Sequence, residues 1–242
     1  MTYDRGRVAL ARALSKLGAA SRAEAQRLIR DGRVTVNGAV IDNPLAPVVP
    51  ERASIAIDGV PVRRTVWRTI AFHKPRGVVT TRRDPEGRRT VFDLLGDAGR
   101  GVVTVGRLDL ASTGLLLLTS DTRLANWLTD PANAIVRRYA VTVRGAVSDD
   151  ERGRLEGGVA DLRARTVKIR KRSQRETHLL VELDEGKNRE IRRLFSAVGH
   201  EVTSLKRVAF GPIELGSLQP GEFREVTRDE LRRANQALGF GL

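Results

Sequence analysis

The chain has 242 residues, 40 % of them apolar, enough for one sizeable core or for a small domain beside a larger one. It has no cysteine and only His73, His178 and His200 as histidines, which excludes disulfides and thiolate metal sites and leaves zinc unexpected. It has no apolar run near the ~20 residues of a membrane span and no signal-like start, so a cytoplasmic protein is expected; 43 Lys and Arg against 29 acids, a net charge of +14, point to a polyanionic partner, nucleic acid first.

The first sixty residues read helix, helix, hairpin. VALARALSKL (8–17) places Val8, Leu10, Ala11, Leu14 and Leu17 on one helical stripe, ended by Gly18. SRAEAQRLIRDG follows as a second helix. Ser21 is its N-cap, Glu24 completes a capping box and Gly32 terminates it. RVTVNGAVI alternates about Asn37-Gly38, a strong hairpin signal, and Asp58-Gly59 marks a second turn beyond the Pro-rich stretch 43–51. The pattern changes near residue 64, which places a linker around 60–66.

Beyond it, strands are predicted at 67–73, 102–105, 115–119, 136–143, 166–172, 177–183 and 201–208. Helices are predicted at 91–95, 122–129, 149–156, 189–198 and 228–238. Ser148 with Glu151 and Thr227 with Glu230 form further capping boxes. Strands outnumber helices without alternating strictly with them, so the fold class is α+β: a small front domain, 1–63, and a larger one, 64–242, on a mixed, largely antiparallel sheet with flanking helices. The basic stretch RARTVKIRKRSQR (163–175) reads as a phosphate-contacting strand and, compatibly, as a solvated edge that resists strand pairing.

The front domain groups basic side chains on its two helices and the hairpin: Arg12 and Lys16 on the first, Arg22, Arg27 and Arg30 on the second, with Arg33 just after it. A solvated helix face is the plain alternative. The motif LGAASRAEAQRLIRDGRVTVNGAVI resembles the S4 RNA-binding domain, with glycine, serine, arginines and the Asn-Gly turn at matching spacing. Ala9 departs from it, standing where many members carry arginine. The resemblance implies a shape-and-phosphate grip on structured RNA, with Arg12, Arg22, Arg30 and Arg33 as contacts.

In the larger domain, GRLDLASTGLLLLTSD sets Asp109 beside Arg107 just ahead of an apolar run. On spacing alone that is an ion pair. HKPRGVVTT (73–81) puts Lys74 and Arg76 in a Pro-Gly loop that can approach a phosphodiester, or that is merely a charged turn. VRRYAVTVRG places Tyr139 in an alternating strand, where core packing is the ordinary role. In LDEGKNREIRRLFSAVGHEVTSLKRVAFGPI, Gly186 is expected to turn the chain into a helix. Lys187, Arg189, Arg192 and Arg193 crowd its start against the helix dipole, a local conflict expected where a site selected the residues. Arg192, between Ile191 and Leu194, is expected to be partly buried and to need an anionic partner.

Together these motifs resemble the RsuA family of ribosomal RNA pseudouridine synthases, over nearly the whole chain. GKNREIRRL leans, within that family, toward enzymes acting on 23S RNA. The resemblance implies Asp109 as the catalytic carboxylate, Tyr139 beside the target base and Arg192 paired with the carboxylate, with no departure at these positions. It further suggests RNA contacts from Lys74, Arg76, Arg107, Lys187, Arg189, Lys206 and Arg207. Breaking N1–C1′, turning the uracil and joining C5 to C1′ needs no redox cofactor or metal. The expected partner is structured ribosomal RNA or a pre-ribosomal particle, bound by a monomer without a small-molecule cofactor. A non-catalytic S4-type RNA-binding protein is the rival. A glycosidase is disfavoured because Asp93, Asp121 and Asp130 read as helix caps and not as a second catalytic carboxylate.

Overall fold

The computed structural model describes residues 7–50, 52–62 and 67–238. The chain divides into two compact units, one running to Trp67 and including Ser120–Thr122, the other formed by Arg68–Thr119 and Arg123 onward.

The first unit contains β1 (Val8–Ala9), α1 (Leu10–Lys16), α2 (Arg22–Arg30), β2 (Val34–Val36), β3 (Ala39–Val40), β4 (Pro47–Val48), β5 (Ile55–Ile57) and β6 (Val60–Pro61). The helical stripe expected from residue 8 starts two residues later. Val8 and Ala9 are extended and pair with Val48 and Pro47. The first helical amides donate outward, Leu10 N to Ala46 O at 2.9 Å and Ala11 N to Pro44 O at 3.1 Å. The Pro-rich stretch thus satisfies donors that would otherwise be orphaned at the helix start. Ser21 and Glu24 form the expected capping box of α2. Asn37 and Gly38 (φ 52° and 86°), and Asp58 and Gly59 (φ 51° and 78°), adopt the left-handed pairs of primed hairpin turns. Four short strands align in the order β3-β2-β5-β6. Leu10, Leu14, Ile29, Val34 and Ile55 fill the space beneath them. Of the linker expected at 60–66, residues 60–61 are strand and 63–66 lie outside the described residues.

The second unit follows as β7 (Thr69–Lys74), α3 (Val91–Leu95), β8 (Val103–Val105), β9 (Thr113–Thr119), α4 (Thr122–Thr129), β10 (Arg137–Arg144), α5 (Asp149–Gly157), β11 (Thr166–Arg172), β12 (Glu176–Leu183), α6 (Glu190–Ala197), β13 (Val202–Phe210), β14 (Ile213–Glu214), β15 (Phe223–Glu225) and α7 (Arg228–Leu238). The main sheet runs β11-β12-β10-β13-β9-β7-β15, with β14 on β13 and β8 on β9. Its pairings are antiparallel except that of β13 with β9. This is the mixed, largely antiparallel sheet of an α+β protein.

β9 explains the core. Leu115 and Leu117 pack into one cluster with Ala71, Val105 and Phe210, while Leu116 and Leu118 pack into the other with Ile70, Phe72 and Tyr139. Alternate side chains of a strand point to opposite faces, so four consecutive buried leucines require cover on both. Thr90 and Asp93 form a capping box for α3, and Asp130 caps a short 3-10 turn at Pro131–Asn133, as the cap reading required. β14 and β15, two and three residues long, are too short to show a period in the sequence.

The entry to α6 differs from expectation. Gly186 is not among the residues of positive φ; the left-handed residue is Arg189, φ 49°, immediately before the helix. Glu190, the first helical residue, reaches back to the Lys187 amide at 3.0 Å and supplies the acid that the helix dipole favours.

Candidate active site

A cleft of about 590 Å³ opens in the second unit, and Asp109, Ser112, Tyr139, Arg137, Glu190, Arg207 and Phe210 are among its walls. The Asp109 loop follows β8, and neighbouring segments clamp it. Gly106 takes φ 70° to begin the loop. Thr80 Oγ1 donates to Leu108 O at 2.8 Å and accepts from Leu108 N at 3.3 Å. Gly77 N donates to Leu110 O at 2.9 Å, and Ser112 N closes the turn onto Asp109 O at 3.0 Å. Lys74 Nζ donates to Ser112 O at 2.9 Å and Pro75 O at 3.0 Å.

HKPRGVVTT is therefore the scaffold of the carboxylate loop, which changes the reading of Lys74. Its side chain is fully buried at 0 % exposure, so it does not belong with the surface phosphate contacts. Burial pushes its pKa down to about 8, opposed by the attraction of Asp109.

Tyr139, 8 % exposed on β10, lines the same cleft as Asp109. Arg192 is half-buried on α6 and outside the set of cleft-lining residues. The expected carboxylate–guanidinium pair is not formed at ion-pair distance among the described residues. Arg192 Nη1 instead donates to Val202 O at 2.9 Å. Burial depresses the Arg192 pKa, as do the positive charges of Arg189 and Arg76, while Asp109 opposes the shift. Asp109 thus acts on Lys74 and Arg192 through the field rather than by contact.

The remaining predicted residues fall into distinct settings. Arg12, Arg22, Arg30, Arg76, Arg107, Lys187 and Arg189 are exposed, and the last three line the cleft. Arg33 is paired with Asp58 in the turn of the second hairpin. Lys187 is paired with Glu185 at 2.8 Å. Lys206 is half-buried. Arg207, like Lys74, is no surface contact: it is 3 % exposed, with Nε donating to Leu115 O at 2.7 Å.

Ser112, Arg137 and Glu190 are among the cleft residues that sequence reasoning missed. Arg137 is 5 % exposed and donates to Asp184 O at 2.7 Å and Leu128 O at 3.1 Å. Its place in the buried phase of Arg137, Tyr139, Val141 and Val143 was the available signal. The Arg137 and Arg207 guanidiniums lie 4.9 and 5.1 Å from the centre of one ring, Phe210. Ser112 Oγ, Glu190 Oε1 and Arg207 Nη2 are buried at the cleft without a hydrogen-bond partner. A buried polar group left so costs about 1–3 kcal/mol, the mark of a surface shaped for a ligand. No cluster of three or more metal-ligating side chains occurs among the described residues.

Residues 68–197 match the RNA pseudouridylate synthase family, and residues 10–51 match the S4 domain. The chain belongs to the RNA pseudouridylate synthase family. Within it, the chain is 36 % identical over 239 residues to the ribosomal large subunit pseudouridine synthase B of Bacillus subtilis, covering 96 % of this chain and 97 % of that one. It is 41 % identical over 245 residues to the enzyme of the same name from Pseudomonas aeruginosa, covering 96 % of this chain and 62 % of that longer protein. A crystal structure of a pseudouridylate synthase superposes with a TM-score of 0.66 at 24 % identity, covering 94 % of this chain and 99 % of the other, which establishes the shared fold. A synthase domain behind an S4 domain leaves the non-catalytic rival without support. No helix among the described residues is long and apolar enough to cross a membrane.

Proposed function

We propose that this synthase isomerises a specific uridine of ribosomal RNA, in 23S rather than 16S RNA, with Asp109 as its catalytic carboxylate. Residues 1–63 serve as the S4 grip and 64–242 as the catalytic domain of a cytoplasmic monomer that uses no cofactor. The observation that carries the proposal is the meeting of Asp109 and Tyr139 in one cleft, with Asp109 close enough to Lys74 and Arg192 to favour their charged forms. The names of the large-subunit enzymes from Bacillus subtilis and Pseudomonas aeruginosa support the choice of RNA.

The chemistry follows from the groups present. The N1–C1′ bond breaks, the uracil turns and C5 bonds to C1′, so atoms and electrons balance within the nucleotide. Asp109 either attacks C1′ or initiates elimination at the sugar, and both routes need the carboxylate anion. Tyr139 offers a ring beside the base. A uridine within structured RNA must leave its stack to reach this cleft, at a cost of a few kcal/mol. The exposed cations of β11, Lys168, Arg170 and Lys171, help offset that through the phosphates.

The test is carbodiimide mapping of pseudouridine across ribosomal RNA from cells with and without the protein. One missing position, in 23S RNA, is expected; an unchanged map refutes the proposal. In vitro, Asp109→Asn is expected to bind RNA as the parent does while forming no pseudouridine, and retained turnover would remove Asp109 from its role.

A further inference from the structure

Two of the unpartnered atoms at the cleft belong to charged side chains of opposite sign, each only 3 % exposed, Glu190 and Arg207. Each is held by one bond and keeps a buried polar atom without a partner. The Lys187 amide holds Glu190 Oε2 at 3.0 Å, leaving Oε1. The Leu115 carbonyl holds Arg207 Nε at 2.7 Å, leaving Nη2. Both line the Asp109 cleft, as does the buried Arg137, on whose guanidinium both act electrostatically. Neither bonds the other, so a group bridging them must present a donor to Glu190 and an acceptor to Arg207.

Uracil presents that pattern, N3–H flanked by the O2 and O4 carbonyls. We propose that Glu190 and Arg207 read the Watson–Crick edge of the base in the Asp109 cleft, Glu190 Oε1 accepting N3–H and Arg207 Nη2 donating to an adjacent carbonyl oxygen. The proposal rests on the reading of this cleft as a uridine isomerase site and adds its specificity determinant. Cytosine is rejected because its N3 is an acceptor and faces the carboxylate lone pairs. If Arg207 sits at the O4 position, the cytosine amino group also meets a donor.

Glu190→Gln carries a definite consequence. The Lys187 amide retains the side-chain oxygen, so the Gln amide nitrogen turns toward the cleft. A donor then faces N3–H of uracil, whereas N3 of cytosine finds a partner. Arg207→Lys keeps the cation and can keep the Leu115 bond, but has no second nitrogen for the base.

The test is competition binding of the full chain to oligonucleotides of equal length made of uridine, cytidine or 3-methyluridine. Their phosphates are alike, so differences report the base. The parent protein is expected to prefer uridine over both others by about tenfold, the discrimination of one good base contact. Glu190→Gln is expected to abolish or invert the preference over cytidine, and Arg207→Lys to weaken uridine binding alone, with thermal melting verifying the fold. No preference in the parent, or an undiminished one in a folded Glu190→Gln protein, overturns the proposal; if that variant does not fold, the parent's response to 3-methyluridine and Arg207→Lys decide. Pseudouridine formation is scored separately. Turnover without base preference overturns this proposal alone, and base preference without turnover overturns the isomerase reading.

Discussion

Lys74 carries a cation into a place without solvent, and both its bonds go to neutral backbone carbonyls. The native state therefore releases the proton more readily than the unfolded chain, at about 8 against 10.5. Between those values the unfolded state binds more protons, so this group makes stability rise with pH over that window. Below pH 8 it is charged in both states and contributes no slope. Lys74→Met is expected to remove this increment, on the order of 3 kcal/mol for the shift. Thermal melting of both proteins from pH 7.5 to 10.5 checks it, and parallel curves would contradict it. At this scale Asp109 and Tyr139 stood out through their motifs. The burial of Lys74 and Arg207 was not legible in the sequence because exposure is not a local property. A lysine in a Pro-Gly loop looks like a surface charge until Ser112, 38 residues on, supplies a carbonyl. Glu190 went unnoticed since one acid among four basic residues gives no hint of burial.

At the scale of elements, the parallel contact of β9 with β13 brings Arg207 to the cleft. Gly114 lies opposite Arg207 in that register. It takes φ 103°, and an added Cβ would sit 2.2 Å from Arg207 O and 2.6 Å from Arg207 N. Backbone cannot yield as the tip of a side chain can. Gly114→Ala is expected to force the strands apart, costing about 3 kcal/mol. Melting should fall by roughly 10 °C for a chain of this size, with catalytic loss. An unchanged melting temperature would show that the strands do not meet as described. Most elements were legible, because alternation in β10 and the capping boxes at Ser148 and Thr227 are local signals. The exceptions have local causes too: Val8–Ala9 reads as helix by its apolar spacing, yet β4 draws it into an extended pair.

For the whole molecule, the net charge of +14 is spread over both units, and charge of this kind makes RNA affinity fall with salt. Arg12, Arg22 and Arg30 are exposed on the front unit. Replacing all three with alanine is expected to weaken RNA binding and to lower the slope of log affinity against log salt by about 2 to 3, at ~0.7–0.9 per lost phosphate contact. Turnover of saturating RNA should be unaffected. An unchanged slope in a salt titration would exclude these arginines from the phosphate contacts.

By itself the sequence determined the periods, the caps, the hairpin turns and the motifs that align with a pseudouridylate synthase behind an S4 domain, because these depend on residues a few positions apart. Only the tertiary structure decided which charges are buried. Arg76 and Arg107 face solvent, while Lys74, Arg137 and Arg207 lie inside, held by carbonyls of Ser112, Leu128, Asp184 and Leu115. A charge is tolerated in the interior only where distant backbone converges to receive it, and that convergence exists only after the sheet has assembled.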